Sequence, residues 1–594
     1  MRIPLDIPPG IYADDTTHSV PGRFVASSHI RWRLGKAETR GGFERIIGTD
    51  LTGMCRTVFN WTDKAASLNI AFGTHSALQL FIGGGLYTIT PTKALPPVLL
   101  ANNPLSVVNA TPTVTVSAPG HALITGDSII VSGAVAVGGI TPNGTFTVTV
   151  TGVSSYTFTF GSNATSTASG GGAVVLITPQ RAFAAGLVDG TGGQGYGTGA
   201  YSTGNYSDPS TADFYPRTWS LGNFGENLIA NPRGGTIYAW TNNTGTVAQP
   251  LLNAPAKVTA SLISPTDQVF ALGCNEEVSG VWNPVCIRHS GIRNNTQWNT
   301  ATNTTSREYI LSGGGRIVSG RVIGSNLLVW TDHSVFLGTF VGSVNQPWRF
   351  DQVESQCGLI GPNAAIVVGQ QAFWLGPDLQ FYAYSLGSGV SIVECPVRSV
   401  IADNMAASQG DKVVTSSTLS FQEIRFDYPD ARDGSENSRA LILTVSGLDT
   451  GAWALDQNAR TSYVDAGPSQ FPIATDPTGR PLWHERGNSD DGAALSWFLE
   501  TSDTYLDEAR TSLVQGIWPD FRDQIGPVGM SIISRMRPQD PPTTTGPIYA
   551  AVGQGKVDIR ANGRLHRVRY EGSSAPCSIR LGLPLFDITL GGYR

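Results

Sequence analysis

One arrangement recurs along this chain: an apolar run, a short turn containing Gly, Asp or Pro, and a second apolar run that includes Trp or Phe. It occurs in the segments 68–90, 227–240, 326–340, 364–385 and 471–485. β-Branched and aromatic residues flanked by turn-forming residues predict two strands joined by a tight turn. None of the segments has the 3.6-residue period of an amphipathic helix. Strand pairs repeated in this way are typical of a β-propeller, so we expect an all-β fold with about six to eight blades.

The composition agrees with a turn-rich all-β protein. The chain has 594 residues, of which 70 are Gly, 36 are Pro and 14% are charged. A chain of this length is too long to fold around one hydrophobic core. Propeller blades pack only on their neighbours, so blades can be added without enlarging a central core. The net charge of −6 gives no reason to expect strong non-specific binding to DNA or to an acidic membrane.

No targeting or redox signal stands out in the sequence. The first 15 residues lack the apolar run of a signal peptide, and no segment approaches the length of a membrane span. We expect synthesis in a cytoplasm and departure only as part of an assembly. The six cysteines have no CxxC spacing and are predicted to be buried thiols, although a bridge between Cys274 and Cys286 stays open.

A change of composition marks an inserted module at 104–178. Thr alternates there with Val or Phe, and Asp127 is its only formally charged residue, which is typical of a small β-barrel or sandwich. The Gly/Tyr-rich segment 179–215 that follows is predicted to be a loop. The remaining predicted divisions are an N-terminal strand or platform segment at 1–55, the first blade or blades at 56–103, the other blades at 216–510 and a C-terminal platform segment at 511–594.

The N-terminal strand is a candidate subunit interface. Ile30 and Trp32 lie on one face of it and Arg33 on the other, because side chains alternate along a strand. The apolar face has no obvious local partner. We therefore predict that it is committed to a core or to a neighbouring subunit.

The basic segment 555–572 is a second candidate interface. Asn562-Gly563 between two alternating runs predicts a hairpin, which carries Arg564 and Arg567 among its cations. Such cations could contact DNA phosphates. Alternation with apolar residues favours instead a strand face that is solvated or that forms salt bridges with a neighbouring subunit.

The tract 186–208 is a candidate gate, that is, a loop that could close and open a passage. Its glycines allow a loop to fold back, and Tyr196, Tyr201 and Tyr206 offer flat apolar contacts with few charges. An equally acceptable interpretation is a surface linker between the module and the propeller.

The search for chemistry predicts no catalytic, cofactor-binding or metal-ligating residue, and hence no enzyme. Paired carboxylates for glycoside hydrolysis are the alternative that needs weighing, because that chemistry requires two carboxyl groups roughly 5 to 9.5 Å apart. The sequence cannot establish such a separation, and solvated surface is the favoured interpretation. The candidate acids are Asp490, Asp491, Asp503, Asp507 and Glu508.

Several segments in a fixed order carry a resemblance. They are "IPPGIY" (7–12), "RWRLGKAETRGGFE" (31–44), "LLVWTDHSVFLGTF" (327–340), "CGLIGPNAAIVVGQQAFWLGPDLQFYAYS" (357–385) and "GKVDIRANGRLHRVRYEGS" (555–573). Together they resemble structural proteins of short-tailed bacteriophages, in particular the tail nozzle or tail-hub protein, also called the stabilisation protein. The module at 104–178 resembles a small β-module found inside many phage virion proteins.

The resemblance implies a virion protein of the phage tail. Six copies would form a ring below the adaptor that closes the portal, as part of the head–tail connector complex, and this ring would retain the packaged DNA and conduct it at ejection. The implied partners are other copies of the chain, portal-adaptor proteins, tail fibres or spikes, the host outer envelope, and double-stranded DNA that passes through the lumen without sequence recognition. The alternative is a propeller-based tail protein that binds or degrades polysaccharide.

Overall fold

Antiparallel sheets form almost all of the regular structure. The computed structural model describes residues 2–94, 96–181, 183–191, 214–300, 304–313, 315–343, 345–507 and 510–593. The chain divides into a larger unit (Met1–Tyr87, Gly186–Asn242, Leu251–Arg594) and a smaller unit (Thr88–Ala185, Asn243–Pro250). Among the described residues, no helix is long and apolar enough to cross a membrane.

The larger unit contains seven successive sheets within its described part, which we call blades 1 to 7. Blade 1 consists of Cys55–Thr62, Leu68–Thr74, Leu78–Ile82 and Gly85–Thr88. Blade 2 contains Trp219–Phe224, Asn227–Pro232 and Tyr238–Trp240. Blade 3 consists of Val258–Ile263, Val269–Asn275, Trp282–His289 and Arg307–Ile310. Blade 4 consists of Ile317–Ile323, Asn326–Thr331, Ser334–Phe340 and Trp348–Ser355.

The last three blades follow the same pattern. Blade 5 consists of Ala365–Val368, Gln371–Leu375, Phe381–Ser385 and Gly389–Ile392. Blade 6 consists of Val414–Thr418, Glu423–Pro429, Asn437–Thr444 and Trp453–Asp456. Blade 7 consists of Ser462–Val464, Ile473–Thr475, Pro481–His484 and, from the N-terminal part of the chain, Phe43–Arg45. The helical segments are short: Arg398–Ala402, and the 3₁₀ turns Ala407–Lys412 and Leu419–Phe421.

The seven blades close into a ring. The first strands of successive blades contact one another in order, and the first strand of blade 7 contacts the first strand of blade 1. Phe43–Arg45 completes blade 7 by pairing with Pro481–His484, so an early segment of the chain fastens the last blade. The prediction of an all-β propeller with six to eight blades is confirmed.

Inner strands that are buried on both faces explain the repeated apolar runs in the sequence. Val269–Asn275 and Asn326–Thr331 are buried along almost their whole length, because neighbouring blades cover both sides of each sheet. Trp330 and Trp374 lie on blades 4 and 5 and meet edge to face, with 5.6 Å between ring centroids. Large aromatic side chains of this kind fill the wedge between blades.

A platform made from both ends of the chain belongs to the same unit. Its first sheet contains Arg2–Pro4, Leu585–Tyr593, Arg510–Trp518 and Val557–Gly563. Its second sheet contains Phe24–Ser28, Trp497–Thr501, Thr504–Tyr505, Leu565–Gly572, Val528–Arg535 and Thr543–Ala550. Its third sheet contains Ile30–Arg33, Lys36–Thr39, Ser578–Leu581 and Phe521–Ile525. Strands from the two ends are thus direct neighbours in each sheet.

The predicted hairpin at 555–572 is wrong. Val557–Gly563 pairs with Arg510–Trp518 in the first platform sheet, whereas Leu565–Gly572 pairs with strands of the second. Asn562 and Gly563 do not adopt the positive φ angles that a two-residue type I′ hairpin turn requires. The chain instead crosses from one sheet to the other at Arg564.

The smaller unit is a β-module with its own core, wider than the predicted 104–178. Its strands are Lys93–Ala94, Val98–Leu99, Leu105–Val107, Thr113–Ser117, Ser128–Ser132, Gly144–Gly152, Ser155–Thr159, Ala168–Gly170 and Leu176–Arg181. The long strand Gly144–Gly152 pairs first with Ser128–Ser132 and then, past Thr147, with Ser155–Thr159. This change of partner folds the sheet around a core that includes Val114, Ile129 and Phe158.

Candidate functional site

The apolar face of the N-terminal strand is covered by the chain itself. Ile30 and Trp32 are both buried in the main core, and the Trp32 indole N–H donates to the carbonyl of Trp453 in blade 6 at 2.8 Å. Of the two predicted alternatives for Ile30 and Trp32, a core or a neighbouring subunit, the structure has the core, because platform and propeller bury them within one copy. Arg33 is different: its side chain is 53% exposed, with Glu38 at 3.5 Å.

Arg567 also finds its carboxylates inside the chain. Its Nε lies 2.9 Å from Oδ1 of Asp503 and its Nη1 lies 2.8 Å from Oε1 of Glu500. Asp503 is almost fully buried and also contacts Arg535 at 2.9 Å. Pairing of Arg567 with a neighbouring subunit is thus contradicted, because its guanidinium is already bidentate within the platform. Arg564 is partly buried, and its backbone N–H donates to the carbonyl of Arg535 at 3.1 Å.

A glutamate at position 567 should destabilise the free protein. Arg567→Glu removes two charge-assisted contacts and places a third carboxylate beside Glu500 and the buried Asp503, so we expect the free energy of unfolding to fall by about 2–4 kcal/mol. Urea unfolding followed by tryptophan fluorescence would measure it. Arg560→Glu, on an exposed position of the neighbouring platform strand, is the control and should change stability by less than about 0.5 kcal/mol. Equal effects of the two variants would contradict the in-chain role.

The predicted gate residues Tyr196, Tyr201 and Tyr206 lie outside the described residues. The segments on either side of them, 186–191 and 214–217, are described, and we call them the stem. The N–H of Thr191 donates to the carbonyl of Phe214 at 2.9 Å, and the N–H of Arg217 donates to the carbonyl of Leu187 at 2.8 Å. The two halves of the stem are therefore held side by side.

Polar contacts fasten the first half of the stem to the propeller. Gln409 makes two hydrogen bonds with the backbone of Gly190, at 2.9 and 3.0 Å. The buried Lys412 ammonium pairs with Asp189 and donates to the carbonyl of Ser435 at 2.6 Å. The hydrogen bond from Lys412 holds the pKa of Asp189 below its usual value. The stem is thus anchored next to blade 6.

Arg56 of blade 1 completes this cluster. Its guanidinium donates to both oxygens of Glu436 at 2.9 and 2.7 Å and to the carbonyl of Val188 at 2.7 Å. Burial alone would raise the pKa of Glu436, but the hydrogen bonds and charge of Arg56, helped by Lys412, bring it below its usual value. The carboxylate therefore stays ionised and ties blade 1 to blade 6 beneath the stem.

Arginine side chains also hold the second half of the stem. The Arg233 guanidinium lies 4.0 Å from the ring centre of Tyr215 and 2.8 Å from Asp411, and Arg316 lies 5.5 Å from the ring centre of Phe214. Such cation–π contacts are each worth about 0.5–2 kcal/mol, depending on how far they exclude water. Blades 1, 2, 4 and 6 thus all contribute to the seat of the stem.

Hydrogen bonds of Asn363 also bridge the axis of the propeller, next to the residues that hold the stem. Asn363, which precedes blade 5, donates to the carbonyl of Arg56 in blade 1 at 2.9 Å and accepts from the N–H of Thr415 in blade 6 at 2.8 Å. Arg321 of blade 4 donates to the carbonyl of the adjacent Pro362 at 3.1 Å. Because blades 5 and 1 are not neighbours in the ring, Asn363 reaches across its centre. The propeller axis is therefore not an open channel.

The predicted carboxylate candidates that the structure describes are engaged in structural contacts. Asp490 lies 3.8 Å from Arg480, Asp491 lies 3.4 Å from Arg45, and Asp503 is bound by Arg567 and Arg535. Asp507 accepts from the N–H of Arg510 at 3.0 Å, and Glu508 is outside the described residues. No cluster of three or more His, Cys, Asp or Glu suited to a metal ion occurs in the described part of the chain.

Two arrangements that resemble reactive sites are buried. His566 lies between Ser512 and Ser534, with 2.8 and 2.9 Å between its ring nitrogens and their hydroxyl oxygens, but all three residues are buried between platform sheets. Cys274 and Cys286 face each other on adjacent strands of blade 3 as free thiols, with 3.8 Å between their sulfur atoms. A substrate in solution does not reach either pair in this arrangement.

The sequence analysis missed a buried ionic network between the N-terminal segment and blades 6 and 7. Arg31 pairs with Glu485, and Arg40 pairs with Glu423. By alternation along the strand Arg31 lies on the same face as Arg33, yet it is 2% exposed. In blade 6, Arg425 lies 2.8 Å from Asp427 and 2.5 Å from Asp456. The density of arginines in "RWRLGKAETR" was the only local signal of this network.

Comparison with known proteins gives limited information. No family model matches the chain, and no curated protein matches it. Among solved structures, the chain is similar to the computationally designed Ika8 protein, with 9% identity, a TM-score of 0.33, and coverage of 74% of this chain and 99% of that one. It is also similar to the Cps50 (Swd1) β-propeller domain of Myceliophteria thermophila, with 8% identity, a TM-score of 0.31, and coverage of 66% and 99%.

A phage protein is also among the similar structures. The phage phi92 endosialidase shares 13% identity with a TM-score of 0.18, and the match covers 57% of this chain and 52% of that one. Scores this low say nothing about what this chain binds or does. The propeller assignment follows from the closed ring of blades in the chain itself.

Proposed function

We propose that this chain is a structural subunit of the tail of a short-tailed bacteriophage, where six copies form a nozzle or hub ring that retains packaged DNA and conducts it at ejection. The observation that carries the proposal is the distribution of the segments that resemble such proteins. They fall on the N-terminal platform strands, on blades 4 and 5, and on the C-terminal platform strands. The segments therefore lie on both the platform and the propeller and are not confined to one module.

The bridged propeller axis bears on how DNA would pass. A duplex is about 20 Å across, as its groove dimensions imply, whereas Asn363 crosses the centre of the propeller. DNA would therefore pass along an axis shared by several copies, with each propeller as part of the wall. A wall with a net charge of −6 per chain favours sliding, because it neutralises few phosphates.

The arrangement of charges favours a structural role over the polysaccharide alternative. The described candidate acids are held by arginines or by backbone N–H groups. Among them, Asp503 lies in ion pairs of 2.9 Å with both Arg567 and Arg535, and a carboxylate held in this way is poorly placed to exchange a proton with a glycosidic oxygen. In the proposed ring the remaining partners are the portal adaptor, the fibres or spikes, and the host envelope, and the site of action is the virion.

The oligomeric state tests the proposal. Native mass spectrometry of the purified chain should show a hexamer, and cryo-electron microscopy of the particle should show a ring with sixfold symmetry in the tail, because six heterologous contacts close on themselves. A population of monomers or trimers only, with no sixfold density in the tail, would overturn the function. Degradation of host capsule by the purified chain would favour the polysaccharide alternative.

Arg33 allows a finer test of the same ring. It is the exposed residue of the N-terminal strand, and Arg522, also well exposed, lies on the opposite edge strand of the same platform sheet. We expect Arg33→Glu to shift the mass distribution from hexamer toward monomer and Arg522→Glu to leave it unchanged. If Arg33→Glu remains a hexamer, Arg33 is not part of the subunit interface. The proposal of a hexameric ring would not be affected by that result.

A further inference from the structure

The strand Phe43–Arg45 completes the last blade, and we call it the closing strand. It has three residues, lies at the edge of the blade 7 sheet and pairs on one side with Pro481–His484. The N–H of Phe43 also donates to the carbonyl of Ser489 at 2.8 Å. A short edge strand needs less free energy to open than an inner strand that is buried on both faces. The closing strand is therefore the place where the ring can open without unfolding.

Phe43 packs the closing strand against two buried histidines. The centre of its ring lies 4.4 Å from that of His484 and 5.4 Å from that of His29. The Arg460 guanidinium lies 4.2 Å from the same ring centre. All four side chains are buried. Detachment of the closing strand would remove Phe43 and bring water to the imidazoles that it covers.

The hydrogen bonds of this cluster require both imidazoles to be neutral. Nε2 of His484 accepts from Nε of Arg460 at 2.6 Å. In His29, Nε2 faces the carbonyl of Arg40 at 3.0 Å and must donate, so Nδ1 accepts from the Asn458 amide at 3.2 Å. An imidazole nitrogen that accepts a hydrogen bond cannot take up a proton without losing that bond. The closed arrangement is therefore the one in which both rings are uncharged.

Positive charge surrounds the two histidines, and the neighbouring carboxylates are already paired. Burial, together with the charges of Arg460, Arg425 and Arg40, holds the pKa of His484 well below its ordinary value. Burial also lowers the pKa of His29 to about 4, although the charge of Asp456 acts in the opposite direction. Tyr463, edge to face with His484, stays neutral because burial raises its pKa. The ion pairs of the cluster are Arg31–Glu485, Arg40–Glu423, Arg425–Asp427 and Arg425–Asp456.

We propose that acid opens the propeller ring at the closing strand: a proton taken up by His484 or His29 releases Phe43 and detaches Phe43–Arg45 from blade 7. The closed form resists this proton, whereas the opened form exposes the imidazole and accepts it closer to the ordinary histidine pKa of about 6.5. The opened form therefore gains population as the pH falls below about 6.5. This device is independent of the proposed role in the tail.

The chain remains anchored on both sides of the closing strand. Arg40 pairs with Glu423 before it, and the N–H of Leu51 donates to the carbonyl of Gly479 at 2.9 Å after it. Neither of these two contacts involves an imidazole. We therefore expect the segment 42–50 to detach as a loop while the platform and the other blades keep their structure.

Hydrogen exchange of the full chain, followed by mass spectrometry, measures the opening. Peptides that cover 42–46 report on the closing strand, and peptides that cover 326–331 report on an inner strand of blade 4. After correction for the chemical exchange rate, the opening equilibrium constant of 42–46 should rise about 10- to 30-fold from pH 7.5 to pH 5. One proton taken up on opening gives up to about tenfold for each pH unit below 6.5. The segment 326–331 should stay protected. Ordinary carboxyl groups titrate near pH 4, so the measurement stays at pH 5 and above.

Two histidine variants test the source of the pH dependence. His484→Gln keeps a hydrogen-bond acceptor for Arg460 but takes up no proton, so most of the pH dependence of 42–46 should be lost. His289→Gln is the control, because burial also lowers the pKa of His289 to about 4, but His289 lies on blade 3. It should leave the pH dependence of 42–46 as in the wild type.

Three results would overturn the proposal. The first is equal protection of 42–46 at pH 7.5 and pH 5 in the wild-type chain. The second is loss of protection at 326–331 together with 42–46, which would mean global unfolding. The third is a pH dependence of 42–46 that survives in full in His484→Gln. The first two results are read from the wild-type chain, so the test stands even if a variant does not fold.

Discussion

Replacing Arg425 with Met is expected to lower the free energy of unfolding by about 3–5 kcal/mol. Arg425 is buried on the second strand of blade 6, where it lies 2.8 Å from Asp427 and 2.5 Å from Asp456. Both carboxylates are also buried, so removal of the guanidinium leaves two negative charges without their main partner. Breaking a buried ion pair on one side costs far more than the pair contributes in total, because the remaining charge stays desolvated.

A matched surface pair provides the control. Arg349 and Asp351 have the same two-residue spacing on a strand of blade 4 and lie 2.7 Å apart, but both are more than half exposed. Arg349→Met should therefore cost less than about 1 kcal/mol. Urea unfolding followed by tryptophan fluorescence compares the two variants under one condition. A cost for Arg425→Met no larger than that for Arg349→Met would show that the charges of blade 6 are reached by water.

The long-range pairing of arginines explains why the sequence analysis predicted the fold better than the interface. The propeller could be predicted because apolar runs such as Asn326–Thr331 report burial on both faces of a strand, which is a local property. The partner of Arg31 is Glu485, and that of Trp32 is Trp453, each more than 400 residues away. Nothing near position 30 indicates whether such a partner lies in the same chain or in another copy.

The predicted hairpin at 555–572 was wrong for a related reason. Alternation of apolar and polar residues correctly predicts two strands there, but it does not indicate whether consecutive strands pair with each other. In the platform they belong to different sheets, and Gly563 lies at the crossing, where a Cβ would approach Ser534 and Arg535 within 3.0–3.3 Å. Once the segment is divided between two sheets, Arg567 faces Glu500 and Asp503 of its own chain.

Acid should destabilise the protein in a pH window set by buried histidines, among them His29, His289, His484 and His566. Burial lowers the pKa of His29, of His289 and of His566 from the ordinary 6.5 to about 4 in each case. Between these values the unfolded chain binds a proton at each position and the folded chain does not, so stability falls as the pH falls from about 6.5 to 4. A shift of about 2.5 units corresponds to about 3 kcal/mol for each histidine. Above pH 7 these groups should make no difference.

The slope of the free energy of unfolding against pH separates histidine protonation from a loss of stability that does not depend on pH. We expect the urea midpoint to be constant above pH 7 and to fall steadily between pH 6.5 and 4.5. His566→Gln removes one of at least four histidines with a lowered pKa, so it should reduce that slope by up to about one quarter, whatever it does to stability at pH 7.5, because the neighbours of His566, Ser512 and Ser534, are uncharged. Paired carboxylates such as Glu436 and Asp456 have lowered pKa values, so their contribution is lost only below about pH 4. A midpoint that stays level down to pH 4.5, or a slope unchanged in His566→Gln, would show that the buried imidazoles take up protons without loss of the fold.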